Sequence, residues 1–460
     1  MKKIILTSFL GLFSPLTIAD ISNLSLNEAI EIASKQNIDI IKSKKSIEIA
    51  KKDLEIIKSK YLGSLDLSTN FINSNSPSNV FGFKLDNGDV AFKDFGFTTD
   101  GFQQLTQAMG NGVEIGNFKV DAVNNPDSRN YFSTNLTYSL PIYTGGLLES
   151  YEKISEKMVK MNSLSNEDFK NEITLEIKKS FYQAKLISEI EKDLKIILKN
   201  LKKLEMTIIA MHEEGFAKKV DILEVSARIQ KVENSIEEIS LNKKLIRKYL
   251  GFLIQDNVES LNLKLKEINE VNHIDINQIT KVKMAKLGVE IRESLIDKEE
   301  SALLPTIGAF GQTSSSSDSL FNSLNQPNYT VGVQLNWTIY DWGGNTANIE
   351  KAEIERDIAL ADFKKAKSGL TLKVDKAKIE IESLKSSITA AKAQDELLTK
   401  IVESYEERYK ENLVSVNDVL VKNALLIENK IKLKQIETLK TLKILELNSM
   451  NNFYNKKEGK

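Results

Sequence analysis

The chain has 460 residues, enough for one large domain or two ordinary ones. Its 64 acidic and 63 basic residues nearly cancel, so no global positive field marks it as a nucleic-acid-binding protein. The absence of cysteine excludes a disulfide framework, thiolate chemistry, a cysteine-based zinc site and a lipidated N-terminal cysteine. The two histidines, His212 and His273, lie in charged or polar sequence and are interpreted as solvated surface residues rather than metal ligands.

The first nineteen residues are typical of a secretory signal. Lys2 and Lys3 precede an apolar run over 4–16, and Ala19 ends a small-residue cleavage site. A buried N-terminal helix is the alternative. After Ala19 no run of about 18 apolar residues occurs, so the sequence predicts no transmembrane helix. If the exported chain spans a membrane, it must do so as a closed β-barrel.

Helix-breaking residues are confined to a few stretches of the chain. None of the six prolines falls within 142–304 or after 327, and glycine is scarce in the same regions. This distribution predicts very long helices. A helix from Leu148 to His212 would be about 95 Å long at about 1.5 Å per residue. The segments 62–146 and 305–344, rich in Gly, Pro, Ser and Asn, hold the remaining structure.

Apolar residues in the long stretches alternate steps of four and three, which is the seam pattern of packed coiled helices. In the first stretch they are Ile190, Leu194, Ile197, Leu201, Leu204, Ile208 and Met211. In the second they are Leu370, Val374, Ala377, Ile381, Leu384, Ile388 and Ala391, resuming at Leu398, Val402, Tyr405 and Tyr409.

Two other segments alternate with period two, which predicts strands with one apolar and one polar face. The apolar set of one is Phe132, Thr134, Leu136, Tyr138, Leu140 and Ile142; that of the other is Tyr329, Val331, Val333, Leu335, Trp337 and Ile339. Leu65, Leu67 and Phe71 indicate a third strand more weakly, and 305–313 gives the weakest signal. A half-buried soluble sheet is the alternative for any single strand, whereas four strands in an exported chain favour a membrane barrel.

An internal repeat organises these elements. The pairs Tyr143/Tyr340, Glu214/Glu411 and Asp221/Asp418 are each separated by 197 residues. We therefore predict a duplication in which strand hairpin, long helix, tight turn and returning helix occur twice. Gly215 and Asn412 stand where a left-handed residue would reverse the helix.

Four strands cannot close a barrel, because the smallest membrane barrels have about eight. An open sheet in lipid would leave backbone groups at its edges unpaired. Several chains must therefore pool their strands, and three chains would give twelve strands. The pattern of residues establishes only that more than one chain is needed.

The chain resembles the TolC-like outer-membrane efflux proteins over nearly its whole mature length. The resemblance rests on the duplicated layout, the strand-ending pairs Gly145-Gly146 and Gly343-Gly344, and the segments beginning at Glu214 and Glu411. Residues 79–85 with 124–127 also look like the first outer loop of one subgroup. The resemblance implies a mainly helical homotrimer with a twelve-stranded outer-membrane β-barrel, four strands per protomer, continued by a coiled-coil α-helical barrel across the periplasm. It also implies two partners, a periplasmic adaptor and an inner-membrane transporter.

These expectations divide the chain into nine segments. They are a signal peptide (1–19), a first-repeat N-terminal helix (20–61), a first β-hairpin with a long outer loop (62–143), a first helical hairpin (144–250), an equatorial segment (251–278), a second-repeat N-terminal helix (279–304), a second β-hairpin (305–340), a second helical hairpin (341–452) and a C-terminal tail (453–460).

The resemblance places the turns near Gly215 and Asn412 at the periplasmic entrance, where Gly215, Asp221, Asn412 and Asp418 would meet the adaptor. It also places Asp418 in an acidic ring at the constriction, where symmetry-related carboxylates repel one another and attract cations. The alternative is that Asp418 and Asp221 cap the returning helices, and both roles are compatible. A second acidic ring falls at Val421 and the basic residue of a gate lock falls at Val414, so neither feature is carried over.

The first predicted hairpin has about 45 more residues at its tip than the second. This insertion would narrow the outer mouth, contact surface partners, or be disordered decoration. The function expected is a passive, gated exit duct of an efflux or type I secretion system. An exported structural coiled-coil protein, such as a filament subunit or adhesin, is the alternative. An enzyme is disfavoured, because no phosphate loop, metal cluster or nucleophile-base set is found. No cofactor or metal is expected, and the cargo stays open.

Overall fold

The computed structural model describes residues 21–271, 273–319, 327–411 and 413–450. The predicted signal peptide, the predicted tail at 453–460 and Asn412 lie outside these ranges. The chain divides into two compact units, which are described separately below. One consists of Met1–Ile49, Val159–Val289 and Ile358–Lys460, and the other of Ala50–Met158 and Glu290–Asp357.

The described residues form ten α-helices and four β-strands. In chain order these are α1 (Leu26–Gln36), α2 (Ile38–Lys60), β1 (Ser64–Ser74), α3 (Pro77–Asn87), α4 (Thr99–Gly110), α5 (Asp121–Asn124), β2 (Arg129–Tyr143), α6 (Leu147–Glu213), α7 (Lys219–Ile254), α8 (Thr280–Glu300), β3 (Thr306–Ser317), β4 (Asn328–Asn336), α9 (Gly344–Lys410) and α10 (Val416–Met450). Among these helices none is both long and apolar enough to cross a membrane. The predicted fold class, mainly helical with a small sheet, is confirmed.

The duplication appears in the lengths of the helices. The first long helix, α6, and its counterpart α9 have 67 residues each. Their first residues, Leu147 and Gly344, are separated by the same 197 residues that separate the repeated motifs. The returning helices α7 and α10 begin at the same spacing, so the repeat holds residue by residue through both helical hairpins.

The predicted seams are the cores of the helical unit. In the first core, Ile190, Leu194, Leu201 and Ile208 of α6 are buried against α7, with α10 contributing Val416 and Leu420. In a second core, Val374, Ala377 and Ile381 of α9 pack with Ile444 and Leu447 of α10. Each buried aliphatic side chain of this kind contributes about 1.5–3 kcal/mol relative to an exposed one. The spacing of the seam residues in the sequence therefore predicts which face of each helix is buried and stabilises the packing.

The predicted N-terminal helix over 20–61 is divided in two, because Asn37 ends α1 and begins α2. Its side-chain amide donates to the carbonyl oxygen of Leu253 at 2.9 Å, and its side-chain oxygen accepts from the backbone amides of Asp39 and Ile40. Asn37 is thus an N-cap for α2 that is fixed by a contact 216 residues away in the sequence. The helix α1 packs into a third core with α6 and α7, around Phe181 and Leu250.

The sheet is an antiparallel meander in the order β1-β2-β3-β4. The register places the two predicted apolar sets on one face: Leu67 is opposite Leu136, Leu136 is opposite Thr313, and Thr313 is opposite Tyr329. We call this the apolar face. The other, the polar face, carries mostly hydroxyl and amide side chains: Asp66, Ser68, Asn70, Ser133, Asn135, Thr137, Gln312, Ser314, Thr330 and Gln334.

Two strands end earlier or less regularly than the alternation predicts. The register shifts between Pro141 and Tyr143, because proline cannot donate a backbone hydrogen bond and the ladder is interrupted there. The strand β4 stops at Asn336, opposite Thr306, so Trp337 and Ile339 lie beyond it. The neighbouring strand begins only after Pro305, and the indole nitrogen of Trp337 instead donates to the carbonyl oxygen of Leu303 at 3.0 Å.

The insertion between β1 and β2 is folded, so the alternative of disordered decoration is wrong. It contains α3, α4 and α5 together with a 3₁₀ turn at Phe92–Phe95. Its ion pair between Lys84 and Asp94 is only 7% exposed at the carboxylate. The helices of the insertion were not predicted from its composition, because Gly and Asn are frequent in loops.

The seam can be tested with two isoleucines two residues apart on α9. Ile381 is fully buried (0% exposed) and Ile379 is 69% exposed in the single chain. We expect Ile381→Ala to destabilise the protein by about 2–5 kcal/mol, because it leaves a cavity in the core. Ile379→Ala, the matched control, should have a much smaller effect. The measurement is the midpoint of thermal unfolding by circular dichroism at 222 nm, and equal shifts for both variants would contradict the seam.

Candidate functional site

The turn of the first helical hairpin is closed by backbone hydrogen bonds around Gly215. This residue has φ +83°, the left-handed conformation expected there. The amide of Phe216 donates to the carbonyl oxygen of Met211 at 2.7 Å, and a ring nitrogen of His212 lies 2.7 Å from the carbonyl oxygen of Ala217. The backbone of α6 therefore terminates within a single turn.

The returning helix α7 is capped by the predicted residue Asp221. Its carboxylate accepts a hydrogen bond from the backbone amide of Lys218 at 2.8 Å. The side chain thus satisfies an amide that has no partner within the helix, and its charge lies at the positive end of the helix dipole.

In the second hairpin, Asp418 forms a reciprocal cap with Ser415. The carboxylate accepts from the Ser415 amide at 3.0 Å and from its hydroxyl at 2.7 Å, and the Asp418 amide lies 3.2 Å from that hydroxyl oxygen. Both bonds to the carboxylate end on Oδ2. The hydrogen bonds from Ser415 and the nearby Lys422 hold the pKa of Asp418 below its usual range. Asp418 therefore caps α10 in the structure, and the Asp418 side chain is exposed.

A positively charged side chain, Lys422, lies one helical turn after Asp418. The ammonium group of Lys422 is 5.4 Å from the centre of the Tyr405 ring, across the α9–α10 hairpin. The exposed end of this hairpin therefore presents a carboxylate and an ammonium group on neighbouring turns of α10. Sequence reasoning missed Ser415 and Lys422, although the Ser-x-x-Asp spacing is a capping-box signal.

The two helical hairpins leave a cavity of about 530 Å³ behind these turns. It is lined by residues from all four helices, including Leu204, Met211, Arg228, Tyr409, Asn423 and Ile427. Burial, and to a smaller extent the charge of Asp221, raise the pKa of Tyr409, whose hydroxyl lies 3.9 Å from the sulfur of Met211. The packing between the two hairpins is therefore incomplete at this point, and the side chains that line the cavity lose dispersion contacts there.

The strand-to-helix junctions are a second candidate site, and the repeat fixes their geometry. Gly145 and Gly146 have φ +65° and +90°. At the corresponding positions of the second repeat, Trp342 and Gly343 have φ +60° and +90°. The predicted pairing of Gly145-Gly146 with Gly343-Gly344 is therefore shifted by one residue. In each repeat, two successive left-handed residues turn the backbone from strand into helix. The first of these two residues is tryptophan in the second repeat.

Each junction also has a side-chain cap just before its two left-handed residues. In the first, the amide of Leu148 donates to the Thr144 hydroxyl at 3.3 Å. In the second, the amide of Asn345 donates to the Asp341 carboxylate at 2.5 Å. A Cβ atom at Gly145 would lie 2.7 Å from the carbonyl oxygen of Ser301, whereas Trp342 is largely exposed and its ring contacts Tyr340 at 5.0 Å. Only the first junction therefore requires glycine for space as well as for φ.

Acidic and histidine side chains do not assemble into a metal site in the part of the chain that the structure describes. The titratable groups near the turns serve as helix caps and ion pairs instead. Asp221 and Asp418 belong to different hairpins, and Asn412 lies outside the described residues.

If Ser415 and Asp418 cap α10 together, the effects of substituting them on amide exchange should not add. Because Ser415 and Asp418 form one reciprocal unit, Asp418→Ala and Ser415→Ala should each accelerate amide exchange in the first turn of α10, and the double variant should exchange no faster than the faster single variant. Asp221→Ala, the matched control, should affect only the first turn of α7. Hydrogen–deuterium exchange mass spectrometry measures all four variants, and additive effects would contradict the reciprocal cap.

The same cap has a defined pH dependence. Because the folded-state pKa of Asp418 is lowered, its contribution to stability is present above the ordinary value of 3.8 and is lost as the pH falls through the lowered value. Asp418→Asn should therefore differ from the parent protein in local stability at neutral pH and converge with it in acid. The measurement is the same exchange in the first turn of α10 over a pH series, corrected for intrinsic rates; a difference that persists at the acid end would contradict the assignment.

A glycine comparison tests the junction. Gly145→Ala introduces a Cβ atom at positive φ against the carbonyl of Ser301, so we expect a loss of at least about 1–2 kcal/mol. Gly369→Ala, the control in the interior of α9 with open space around the new methyl group, should stabilise by up to about 1 kcal/mol. Thermal unfolding of both variants provides the comparison, and shifts of the same sign would be inconsistent with the geometry.

Known proteins match the chain in sequence and in fold. Residues 277–440 match the sequence model of the family described as "Outer membrane efflux protein". The multidrug resistance outer membrane protein MdtQ of Escherichia coli O157:H7 is 26% identical over 207 residues, which are 42% of this chain and 43% of MdtQ. The aligned part thus spans less than half the length of this relative.

Solved structures of outer-membrane channels share the fold over most of the chain. A crystal structure of CusC has a TM-score of 0.77 at 14% identity and covers 92% of this chain and 91% of CusC. The CmeC outer membrane channel of Campylobacter jejuni has a TM-score of 0.74 at 17% identity, covering 93% of this chain and 85% of CmeC. The second repeat therefore matches the outer membrane efflux protein family in sequence, and both repeats share the fold of these solved channels.

Proposed function

We propose that the chain is one protomer of a homotrimeric channel that lies in the cell outer membrane and extends into the periplasm. It acts as the passive exit duct of a tripartite efflux or type I secretion system. The observation that carries the proposal is the sheet: four antiparallel strands with one apolar face, one polar face and two open edges.

The apolar face needs a cover that the single chain does not supply. Leu67 is 71% exposed and Val331 is 74% exposed, although both belong to continuous apolar rows. Contact with lipid hydrocarbon removes such rows from water, at about 25 cal/mol per Å² of apolar surface. Tyr329 stands at one end of the last row, and Tyr340 and Trp342 follow its other end, as in the aromatic belts of membrane proteins.

The open edges require neighbouring copies. Among the residues that the structure describes, β1 pairs only with β2 and β4 only with β3. Unpaired backbone groups in hydrocarbon cost several kcal/mol each, so the edge of one chain pairs with the opposite edge of the next. Three chains close a twelve-stranded barrel whose interior is lined by the polar face. The same symmetry surrounds the long helices with neighbours, covering exposed side chains of α7 such as Leu241, Leu245 and Phe252.

The helical-hairpin turns form the periplasmic entrance in this proposal. Gly215, Asp221, Asn412 and Asp418 meet a periplasmic adaptor, which couples the duct to an inner-membrane transporter. Asp418 also contributes to a gate, because its exposed carboxylate approaches its symmetry mates at the constriction. Capping does not prevent this role, since both bonds from Ser415 end on the same carboxylate oxygen. The activity is passive transport, and no residue is assigned a catalytic role.

Two features support this function over an exported structural coiled-coil protein. A filament subunit or adhesin has no use for an amphipathic sheet with two open edges. The fold is also shared with CusC and CmeC over more than nine-tenths of the chain. The cargo is left unassigned, because the polar face carries mainly neutral hydroxyl and amide groups.

Single-channel conductance in planar bilayers tests the proposal. Purified wild-type protein should form small, cation-preferring pores, and Asp418→Ala should raise the conductance or weaken the cation preference. Asp221→Ala is the matched control, because it removes a helix cap from the other hairpin and should leave both properties unchanged. Pores that ignore Asp418→Ala would keep the duct and reduce Asp418 to a cap. No pores from a folded, detergent-solubilised sample would contradict the channel.

A further inference from the structure

The insertion between β1 and β2 lies against the polar face of its own sheet. The ring of Phe83, on α3, stacks on the ring of Tyr131 with centroids 4.2 Å apart and planes 12° apart. Tyr131 alternates with Ser133 and Asn135 along β2, so its side chain belongs to the polar face. The helix α3 therefore lies over the polar face at the end where β2 begins, rather than projecting away from the sheet.

Two polar contacts fasten α3 in this position. The Tyr131 hydroxyl donates to the Asp86 carboxylate at 3.0 Å. The guanidinium group of Arg129 pairs with Asp89 just after α3, and it lies 3.9 Å from Asp318 at the end of β3. These two contacts join α3 to β2 at the end of the sheet opposite the strand-to-helix junctions, and Asp318 lies near the same guanidinium group from the end of β3.

The insertion has an interior of its own. Lys84 pairs with the buried carboxylate of Asp94 at 2.5 Å, and that carboxylate also accepts from the Ala91 amide at 2.8 Å. The rings of Phe81 and Phe95 meet edge to face at 5.5 Å, and Val80 is buried. Because breaking a buried ion pair is strongly unfavourable, these contacts make the insertion a defined folded element.

We propose that this insertion is a lid that folds into the barrel and closes its outer mouth. The inference rests on the proposed function, since the polar face is the interior only if three chains close a barrel. A twelve-stranded barrel is about 24 Å across between backbones, from a strand spacing of about 4.8 Å and a tilt of about 40°. Inward side chains narrow the lumen further, and each helix with its side chains is about 10 Å wide. One α3 helix from each chain at the end of the barrel is therefore more than enough to obstruct the mouth.

The lid is fastened in a way that permits opening. Asn87, the last residue of α3, is buried, and neither polar atom of its side-chain amide has a hydrogen-bond partner in the described structure. A buried amide without partners disfavours the closed arrangement relative to one in which water reaches it. The duct thus has two closures in series, the helical entrance and the lid, and cargo must displace both.

The test is the accessibility of single cysteines in intact cells that express the full-length chain, which has no cysteine of its own. The reporter is Ser68→Cys, on the polar face of β1, and the surface control is Phe92→Cys, in the insertion at a position 81% exposed. A polymer-coupled maleimide, too large to cross the outer membrane elsewhere, is added to the medium. Phe92→Cys should be labelled quickly and Ser68→Cys slowly.

Substitutions that release the lid should make the Ser68→Cys reporter accessible to the maleimide. In a background of Phe83→Ala with Arg129→Gln, labelling of Ser68→Cys should accelerate by about tenfold or more, which corresponds to a shift of about 1.4 kcal/mol in the closed–open equilibrium. Ile115→Ala with Lys119→Gln is the matched control, because it changes similar side chains at exposed positions of the insertion and should leave the rate unchanged. Tyr131→Phe, which keeps the stacked ring and removes only the bond to Asp86, should give a smaller increase and serves if the release variant does not fold.

Two results overturn the inference in distinguishable ways. If Ser68→Cys is labelled as quickly in the parent background as in the release and Tyr131→Phe backgrounds, the mouth is open and the lid is wrong, while the channel stands. If Phe92→Cys is not labelled from outside in any background, the insertion does not face the medium. Both the proposed orientation in the outer membrane and the lid would then be contradicted.

Discussion

The pairing of strand edges is the constraint on which the remainder of this account depends. A sheet of four strands with one apolar face has no stable place in a single chain, because its edges expose backbone groups and its apolar rows face water. Burying those rows in lipid raises the cost of the open edges, since hydrocarbon supplies no hydrogen-bond partners. Closure with other copies satisfies both demands. In the proposed channel, that closure turns the polar face into an aqueous interior.

The duplication explains how one chain supplies matching halves of such an assembly. Both halves turn from strand into helix through two left-handed residues after a capping side chain, then extend through 67 helical residues and reverse. The halves differ where neighbouring structure differs. Gly145 is confined by the carbonyl of Ser301, whereas Trp342 occupies the equivalent conformation with its ring in the open. The strain of a left-handed tryptophan is tolerated where an aromatic side chain suits the edge of the apolar face.

Most of the fold was predictable from local pattern. The rarity of Pro and Gly predicted helix lengths, the steps of four and three predicted the buried seams, and period-two alternation predicted the strands. The failures occurred where a distant partner decides the outcome. Asn37 divides a helix because the carbonyl of Leu253 binds its amide, and β4 stops at Asn336 because its neighbour begins only after Pro305. Of the site residues, Asp221 and Asp418 were predictable as caps from their positions, whereas Lys422 and the folded insertion depend on contacts between elements that no local pattern records.

Amide exchange at the sheet edges, in the detergent-solubilised protein, tests the central claim most directly. The outward edges of β1 and β4 have no strand partner in the described part of one chain, whereas β2 and β3 are paired on both sides. If copies close the barrel, the edge strands should exchange as slowly as the inner strands in hydrogen–deuterium exchange mass spectrometry. Rapid exchange confined to β1 and β4 would mean that their edges are unpaired, and the closed trimer would be contradicted.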